Sequence, residues 1–306
     1  MCNFLWQAGM PCCHKKITHR LLTDAGSVVW SKRDVNANVA GDVNKAIGVS
    51  VSRSPGLLWT ASSRSVGTGS PFLQWDTSGN VTDSTTLPDS SGIQGGSQQY
   101  ADSDSSGNIY IVHFATGSAE TVVKLDSSLN EVWRFVSPGH TGSRTARRSY
   151  GLVVSPDETR IACITELNKT GCLSQGRVAE LNTSGSEIWS YTSYPTDLTS
   201  GESYVPEFCH YDPSGKLWVG FHAQISASGI GTGIWARFDS SGNIDRLVNF
   251  SSSSSAETFL KFSSAGDAYV MLPTGGSTST VKQYSDTGSL LNTWSSEVAT
   301  SGFANY

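Results

Sequence analysis

Apolar residues fall in short runs along the whole chain, and the runs are broken by clusters of Ser, Thr, Asp, Asn and Gly. Strands have that length and punctuation, whereas an amphipathic helix needs a longer window at a period of 3.6. One unit recurs: an apolar strand, a polar turn usually ending in Gly, and a second strand often carrying Trp. Its instances are LLTDAGSVVW (21–30), LQWDTSGNVT (73–82), VKLDSSLNEVW (123–133), AELNTSGSEIW (179–189), ARFDSSGNIDRL (236–247) and KQYSDTGSLLNTW (282–294). The last turn residues are Gly26, Gly79, Leu129, Gly185, Gly242 and Gly288, at steps of 53, 50, 56, 57 and 46 residues. From Gly288 through the C-terminus and on to Gly26 is 44 residues, so the pattern is nearly circular in six units.

A long polar residue (Gln74, Lys124, Glu180, Arg237, Gln283) precedes an apolar one (Trp75, Leu125, Leu181, Phe238, Tyr284) in each unit. Such alternation suits a strand with one face in a packed layer. Asp, Asn or Ser follows and can bond the turn backbone, and Gly supplies the positive φ. A second strand pair precedes each unit: 48–52 with 57–61, 98–101 with 109–114, 151–154 with 161–164, 208–211 with 217–221, and 259–262 with 268–272. Four antiparallel strands every ~45–55 residues mark a propeller blade.

The fold class expected is therefore all-β: a six-bladed β-propeller of four-stranded antiparallel blades, closed by a blade shared between the N- and C-termini. It is a single β-propeller domain over 1–306. The split blade takes 1–35 plus 299–306, and the others span about 41–87, 93–137, 147–192, 202–250 and 256–297. In the split blade, 16–23 and 27–32 give the outer strands, Asn3–Gln7 the next, and Gly302–Tyr306 the innermost. A five-bladed ring with a separate N-terminal hairpin is the alternative.

Composition narrows the function classes. The 306 residues carry a net charge of −5 and only 15% charged residues, against about 25% in typical domains. An acidic balance disfavours nucleic acid as a partner. No apolar run approaches the roughly 18 residues of a membrane span, so no membrane insertion is expected. The N-terminus has no basic segment before its apolar patch, which does not suit a secretory signal. The six Cys (2, 12, 13, 163, 172, 209) form no CxxC pair, and no metal or cofactor is expected. Vicinal Cys12 and Cys13 cannot both turn easily to one ion. Cys163 and Cys172 are near enough in sequence for a disulfide to stay open.

In an up-and-down blade, the second-to-third and blade-to-blade connections lie at one end. Here they are the long ones: 62–70, 115–120, 166–176, 222–233 and 273–279, with 33–46, 86–97, 137–149, 191–204 and 249–256. That end is the expected interaction surface. Its chemically richest stretch is 138–148, read as a loop that sets His140 beside Arg144, Arg147 and Arg148. It suits an acidic ligand or a partner's carboxylate, or else the arginines pair with nearby acids. Glu207, Cys209 and His210 fall on an innermost strand, expected to face a central channel with alternate residues; acid–base work or holding a metal is one reading, and bonding to channel waters the other. Asp102–Ile109 resembles the start of a calcium loop, but the twelfth position is His113 rather than Glu, and a plain β-turn is expected. GxSxG, HExxH and P-loop motifs are absent from the sequence.

The segments VVKLDSSLNEVW and RVAELNTSGSEIW resemble the outer strands of quinoprotein-like (PQQ-type) propeller repeats, with an apolar run, Asp, a short turn and Trp. The resemblance covers five or six units and departs at Asp83 and Arg246, where Trp is missing. It implies a propeller and no particular cofactor. The Ser/Thr/Gly-rich, low-charge texture also resembles that of bacteriophage virion structural proteins. This implies a tail, nozzle, fibre or capsid-appendage component located in the virion. Its partners would be other virion proteins or a surface glycan, within a larger assembly. A propeller-type enzyme (lyase, hydrolase or quinoprotein) and a bacterial, cytoplasmic scaffold are the alternatives. The sparse His, Asp and Glu in the innermost strands favour a non-enzymatic role.

Overall fold

The computed structural model describes residues 18–22, 28–33, 45–51, 57–63, 70–87, 101–114, 120–137, 144–169, 175–192, 202–225, 231–251, 259–263, 265–274, 278–285 and 289–297. These are strands and turns throughout. The chain divides into two compact units, Met1–Ser137 and Pro138–Tyr306.

The first unit opens with a hairpin, β1 (Thr18–Leu22) and β2 (Val28–Arg33). Two four-stranded antiparallel sheets follow. One holds β3 (Lys45–Val51), β4 (Leu57–Ser63), β5 (Ser70–Asp76) and β6 (Val81–Leu87); the other β7 (Ala101–Ser103), β8 (Ile109–Phe114), β9 (Glu120–Leu125) and β10 (Glu131–Val136). The second unit has three such sheets. They are β11 (Arg144–Val154) to β12 (Arg160–Lys169), β13 (Gln175–Asn182) and β14 (Glu187–Tyr191); β15 (Glu202–Tyr211) to β16 (Leu217–Ile225), β17 (Gly231–Phe238) and β18 (Ile244–Ser251); and β19 (Phe259–Phe262) to β20 (Ala268–Thr274), β21 (Thr278–Tyr284) and β22 (Leu290–Glu297). In every sheet the strands pair in chain order, which makes each a meander of the kind that forms a propeller blade.

The turns follow the repeat. In Asp76–Asn80 the Asp76 N–H donates to the Asn80 carbonyl, and Asp76 Oδ1 accepts from the N–H groups of Ser78 and Asn80. The same wiring recurs at Asp126, Asn182, Asp212 and Asp239. The turn residue takes positive φ, at Gly in most turns, at buried Leu129 (φ 60) in one and at Glu158 (φ 58) in another. Asp102–Ile109 is a turn of this family: Asp104 accepts from Asn108, as a β-turn predicts.

A detail beyond the sequence pattern ties the hairpin to the sheets. In every third-to-fourth strand pair one residue is extra, three positions after the last turn residue: Thr82, Val132, Ile188, Asp245 and Leu291. The β1–β2 hairpin has the same bulge at Val29, three residues after Gly26. An extra residue leaves the ladder and bends the strand. This accounts for the exposure of the large apolar side chains Val132, Ile188 and Leu291 on the fourth strands.

The core of the second unit lies between its sheets. Val153, Ala162, Ile164, Val178 and Trp189 of the β11–β14 sheet pack on Cys209, Tyr211, Val219, Ile234, Ala236 and Phe238 of the β15–β18 sheet. The opposite face of β15–β18, with Trp218 and Trp235, packs on Val270, Phe262 and Tyr284 of the last sheet. Near-continuous apolar runs in β12 and β16 are thus explained: both faces of those strands are buried.

Several expected loops are strand instead. β11 begins at Arg144, β12 runs to Lys169, β15 begins at Glu202, and β16 runs to Ile225. The extended ends pair with one another, Arg144 with Lys169 and Glu202 with Ile225. Polar side chains hid these extensions, because the ladder satisfies backbone groups whatever the side-chain pattern. Residues 3–7 and 302–306, His140, Cys172 and the cysteines at 2, 12 and 13 lie outside the described residues.

Candidate functional site

Each sheet has two unlike ends. At the turn end, the first-to-second and third-to-fourth turns spend their carboxylates on their own backbone. Backbone N–H and side-chain bonds from Asn80, Asn130 and Asn243 hold Asp76, Asp126 and Asp239 below the ordinary carboxylate range. The Ser155 hydroxyl bonds Asp157 and lowers it likewise.

Beside the turn end, between two sheets, lies a buried polar cluster. Glu180 on β13 is 1% exposed. Its Oε1 accepts from Tyr211 Oη at 2.6 Å and Arg160 Nη1 at 3.2 Å, and its Oε2 from Trp189 Nε1 at 2.8 Å. Arg160 Nη2 donates to the Gly215 carbonyl at 2.9 Å, and the guanidinium lies 5.4 Å from the Tyr211 ring centre. Burial, then the Glu180 charge and hydrogen bond, push the Tyr211 phenol well up. Both carboxylate oxygens are committed, so this is a clamp between sheets rather than a reactive acid. Trp189 completes it by stacking on Phe238 at 5.5 Å. A Cβ at Gly242 would stand 2.6 Å from the Trp189 ring, so only glycine fits there. Sequence reasoning placed Glu180 and Trp189 in the repeat and missed the clamp; the Trp nine residues after the Glu was the available signal.

The connection end is where the chain departs from its own repeat. Arg144, Arg147 and Arg148, expected on a loop, lie on β11. Arg144 is cross-strand from Lys169 and Arg148 from buried Glu166, while Arg147 is an extra residue between the Ala146–Leu167 and Arg148–Glu166 pairs. Glu207 is likewise extra, between the Pro206–Phe221 and Phe208–Gly220 pairs of β15. It is therefore separated from His210 by a bulge. Cys209 and His210, the two of these three residues whose side chains are described, point to the neighbouring sheets on either face of β15. The imidazole of half-buried His210 meets the Phe262 ring edge-on at 5.9 Å, in the layer against the last sheet. Buried Cys209 packs on the other side, 3.3 Å from where a Gly151 Cβ would be. Strand faces of a stacked blade point at neighbouring sheets, and only the strand edge borders a channel.

Among the described residues, no three His, Cys, Asp or Glu side chains converge as metal ligands do, and no helix is long and apolar enough to cross a membrane.

No family model and no curated protein matches the chain. Solved structures do. The chain is similar to a eukaryotic initiation factor at 9% identity and a TM-score of 0.42, over 97% of this chain and 65% of that one. It is similar to the subtype N11 neuraminidase-like protein of A/flat-faced bat/Peru/033/2010 (H18N11) at 14% identity and 0.48, over 81% and 71%. With apo prolyl oligopeptidase B from Galerina marginata the figures are 10% and 0.49, over 86% of this chain and 37% of that one. The chain thus spans less than two thirds of the initiation factor and little more than a third of the peptidase. Likenesses at this level assign no chemistry, and the blade architecture stands on the strand pairings themselves.

Proposed function

We propose that the chain is a non-enzymatic interaction module, a six-bladed β-propeller closed by a blade shared between its termini, that binds partners through its connection end. The observation that carries the binding part is the contrast between sheet ends: turn-end carboxylates are spent on their own backbone, whereas the connection end holds extended strands with Arg144, Arg147, Arg148 and Lys169. Closure is supported by the hairpin. Its bulge at Val29 matches every third-to-fourth pair, and Leu22 occupies the position of Phe238, four residues before the turn residue. Trp294 stacks on Tyr269 at 6.2 Å and remains 45% exposed.

Within that reading, the Ser/Thr/Gly-rich, low-charge composition favours a structural part of a phage particle, contacting neighbouring virion proteins or a surface glycan. Mass spectrometry of purified particles tests the setting: the chain is expected in stoichiometric amount, and particles lacking it would end the virion reading. Charge reversal at Arg144 and Lys169 tests the surface. It is expected to release the chain from its partner while leaving its melting temperature within a few degrees.

A further inference from the structure

The two boundaries inside the second unit are made differently. The β11–β14 and β15–β18 sheets approach closely at both ends. At the connection end a Cβ at Gly176 would stand 2.5 Å from Pro206 Cδ, and at the turn end a Cβ at Gly242 would stand 2.6 Å from the Trp189 ring. Tyr211 Oη donates across this boundary to Glu180, and Arg160 donates across it to the Gly215 carbonyl. Parting these sheets takes partners from buried polar groups as well as apolar cover from the core.

The boundary between β15–β18 and the last sheet is of another kind. Arg237 on β17 holds the repeat position of Glu180, and its guanidinium turns to Asp245 of its own sheet at 2.7 Å. It also lies 5.6 Å from the Trp218 ring centre. Trp218 Nε1 donates to Asp212, again within the sheet, at 3.0 Å. Trp235 covers its cross-strand neighbour Gly220, where a Cβ would stand 2.9 Å from the indole. Both tryptophans are therefore set in place by their own sheet. The last sheet lays Phe262, Ala268, Val270 and Tyr284 on that face, with Phe262 5.9 Å from the Trp218 ring. Among the described side chains of β19–β22, Val270 is the one that is buried, and Leu290, Leu291 and Trp294 are exposed. The connection from β18, 252–258, reads SSSSAET and carries no large apolar side chain. A region with little buried apolar surface opens at a lower free-energy cost than the whole molecule.

We infer that the last sheet is a leaf: β19–β22 undocks from β15–β18 and unfolds as one unit, then refolds onto it, while β11–β18 keeps its fold. Opening uncovers a preformed aromatic face, Trp218 and Trp235. The inference goes beyond partner binding and ring closure, because it concerns only the boundary with β15–β18.

The test is amide hydrogen exchange of the full chain over a series of denaturant concentrations below the unfolding transition. β12, β16, β20 and β21 each have a paired strand on both sides, so like is compared with like. Amides of β20 and β21 are expected to exchange about ten-fold or more faster than those of β12 and β16. β20 and β21 are expected to share one denaturant slope, shallower than that of global unfolding. Ile164→Val trims a side chain buried between β11–β14 and β15–β18, a loss felt equally with the leaf closed or open. It is expected to speed β12 and β16 about two-fold or more and to leave β20 and β21 unchanged. Equal wild-type rates in the two pairs of strands, different slopes in β20 and β21, or equal acceleration of all four strands by Ile164→Val overturns the inference. The wild-type rates and slopes decide it alone if the variant fails to fold.

Discussion

The β11–β14 and β19–β22 sheets are built on one repeat and differ in what covers them. Glu180 and Gln283 hold the same position, each cross-strand from a β12 or β20 residue (Ala162, Tyr269) and a fourth-strand residue (Trp189, Asn292). In the first sheet this face lies under the β15–β18 sheet: Ala162 is fully buried and Trp189 8% exposed. In the last sheet the face keeps an aromatic pair, Tyr269 and Trp294, yet Trp294 is far more exposed, and among the described residues Gln283 bonds within its own sheet, to Asp267 and Asn292. The lesson is that a blade face is made by its repeat but stabilised by its neighbour. The inter-sheet polar position is charged where the next sheet supplies Tyr211 and the turn at Gly215. It is neutral where the described residues offer only its own strands.

The sharpest way to break this comparison is to truncate Glu180 and Gln283 in turn. Glu180→Ala leaves the half-buried Arg160 guanidinium without its ion pair, and strips buried Tyr211 and Trp189 of their acceptor. A loss of ~3–5 kcal/mol in denaturant-measured stability is expected. Gln283→Ala is expected to cost under about 1 kcal/mol, since its bonds are surface-accessible. Equal costs would mean that the two faces do not differ as described. Gly242→Ala comes next. It forces a side chain onto Trp189 at φ +80, for a loss of about 1–3 kcal/mol in the same unfolding assay.

pH gives a smaller and more local effect. The Tyr211 phenol has its folded pKa raised, first by burial and then by Glu180. Folding therefore holds a proton that the unfolded chain releases near pH 10. The contribution is present in full below that pH and is lost as pH climbs above it. The melting temperature of the wild type is expected to fall between pH 10 and 11 more steeply than that of Tyr211→Phe. At the acid end the sign reverses. Asp76, Asp126 and Asp239 have lowered values, so their contribution is lost as pH falls through the acid range. Smallest of all, Val132→Thr at an exposed bulge is expected to change stability by no more than about 0.5 kcal/mol.

The turns and the strand order were legible because these turns start on Asp, Asn or Ser, and most end on a Gly that takes positive φ. Leu129 was found by spacing alone, and it does take φ 60. The strand extensions were hidden, because RTARRSY has no period-two pattern and strands paired at their polar ends need none. The clamp was hidden for another reason. Its partners stand 20, 9 and 31 residues from Glu180, and only the stacking of two sheets brings Tyr211 to it. Arg147 and Glu207 were singled out by residue type, but their shared standing as bulge residues is a property of register, which a single strand's sequence does not carry.

Closure is the central claim, and the β1–β2 hairpin decides it. A two-stranded hairpin standing alone is marginal in water at best. Amide hydrogen exchange over Arg20–Leu22 and Val28–Ser31 in the full chain measures whether it stands alone. A hairpin built into a closed ring exchanges as slowly as β12 and β16, and loses that protection when residues 302–306 are removed. Exchange complete within seconds in the intact chain would contradict the ring.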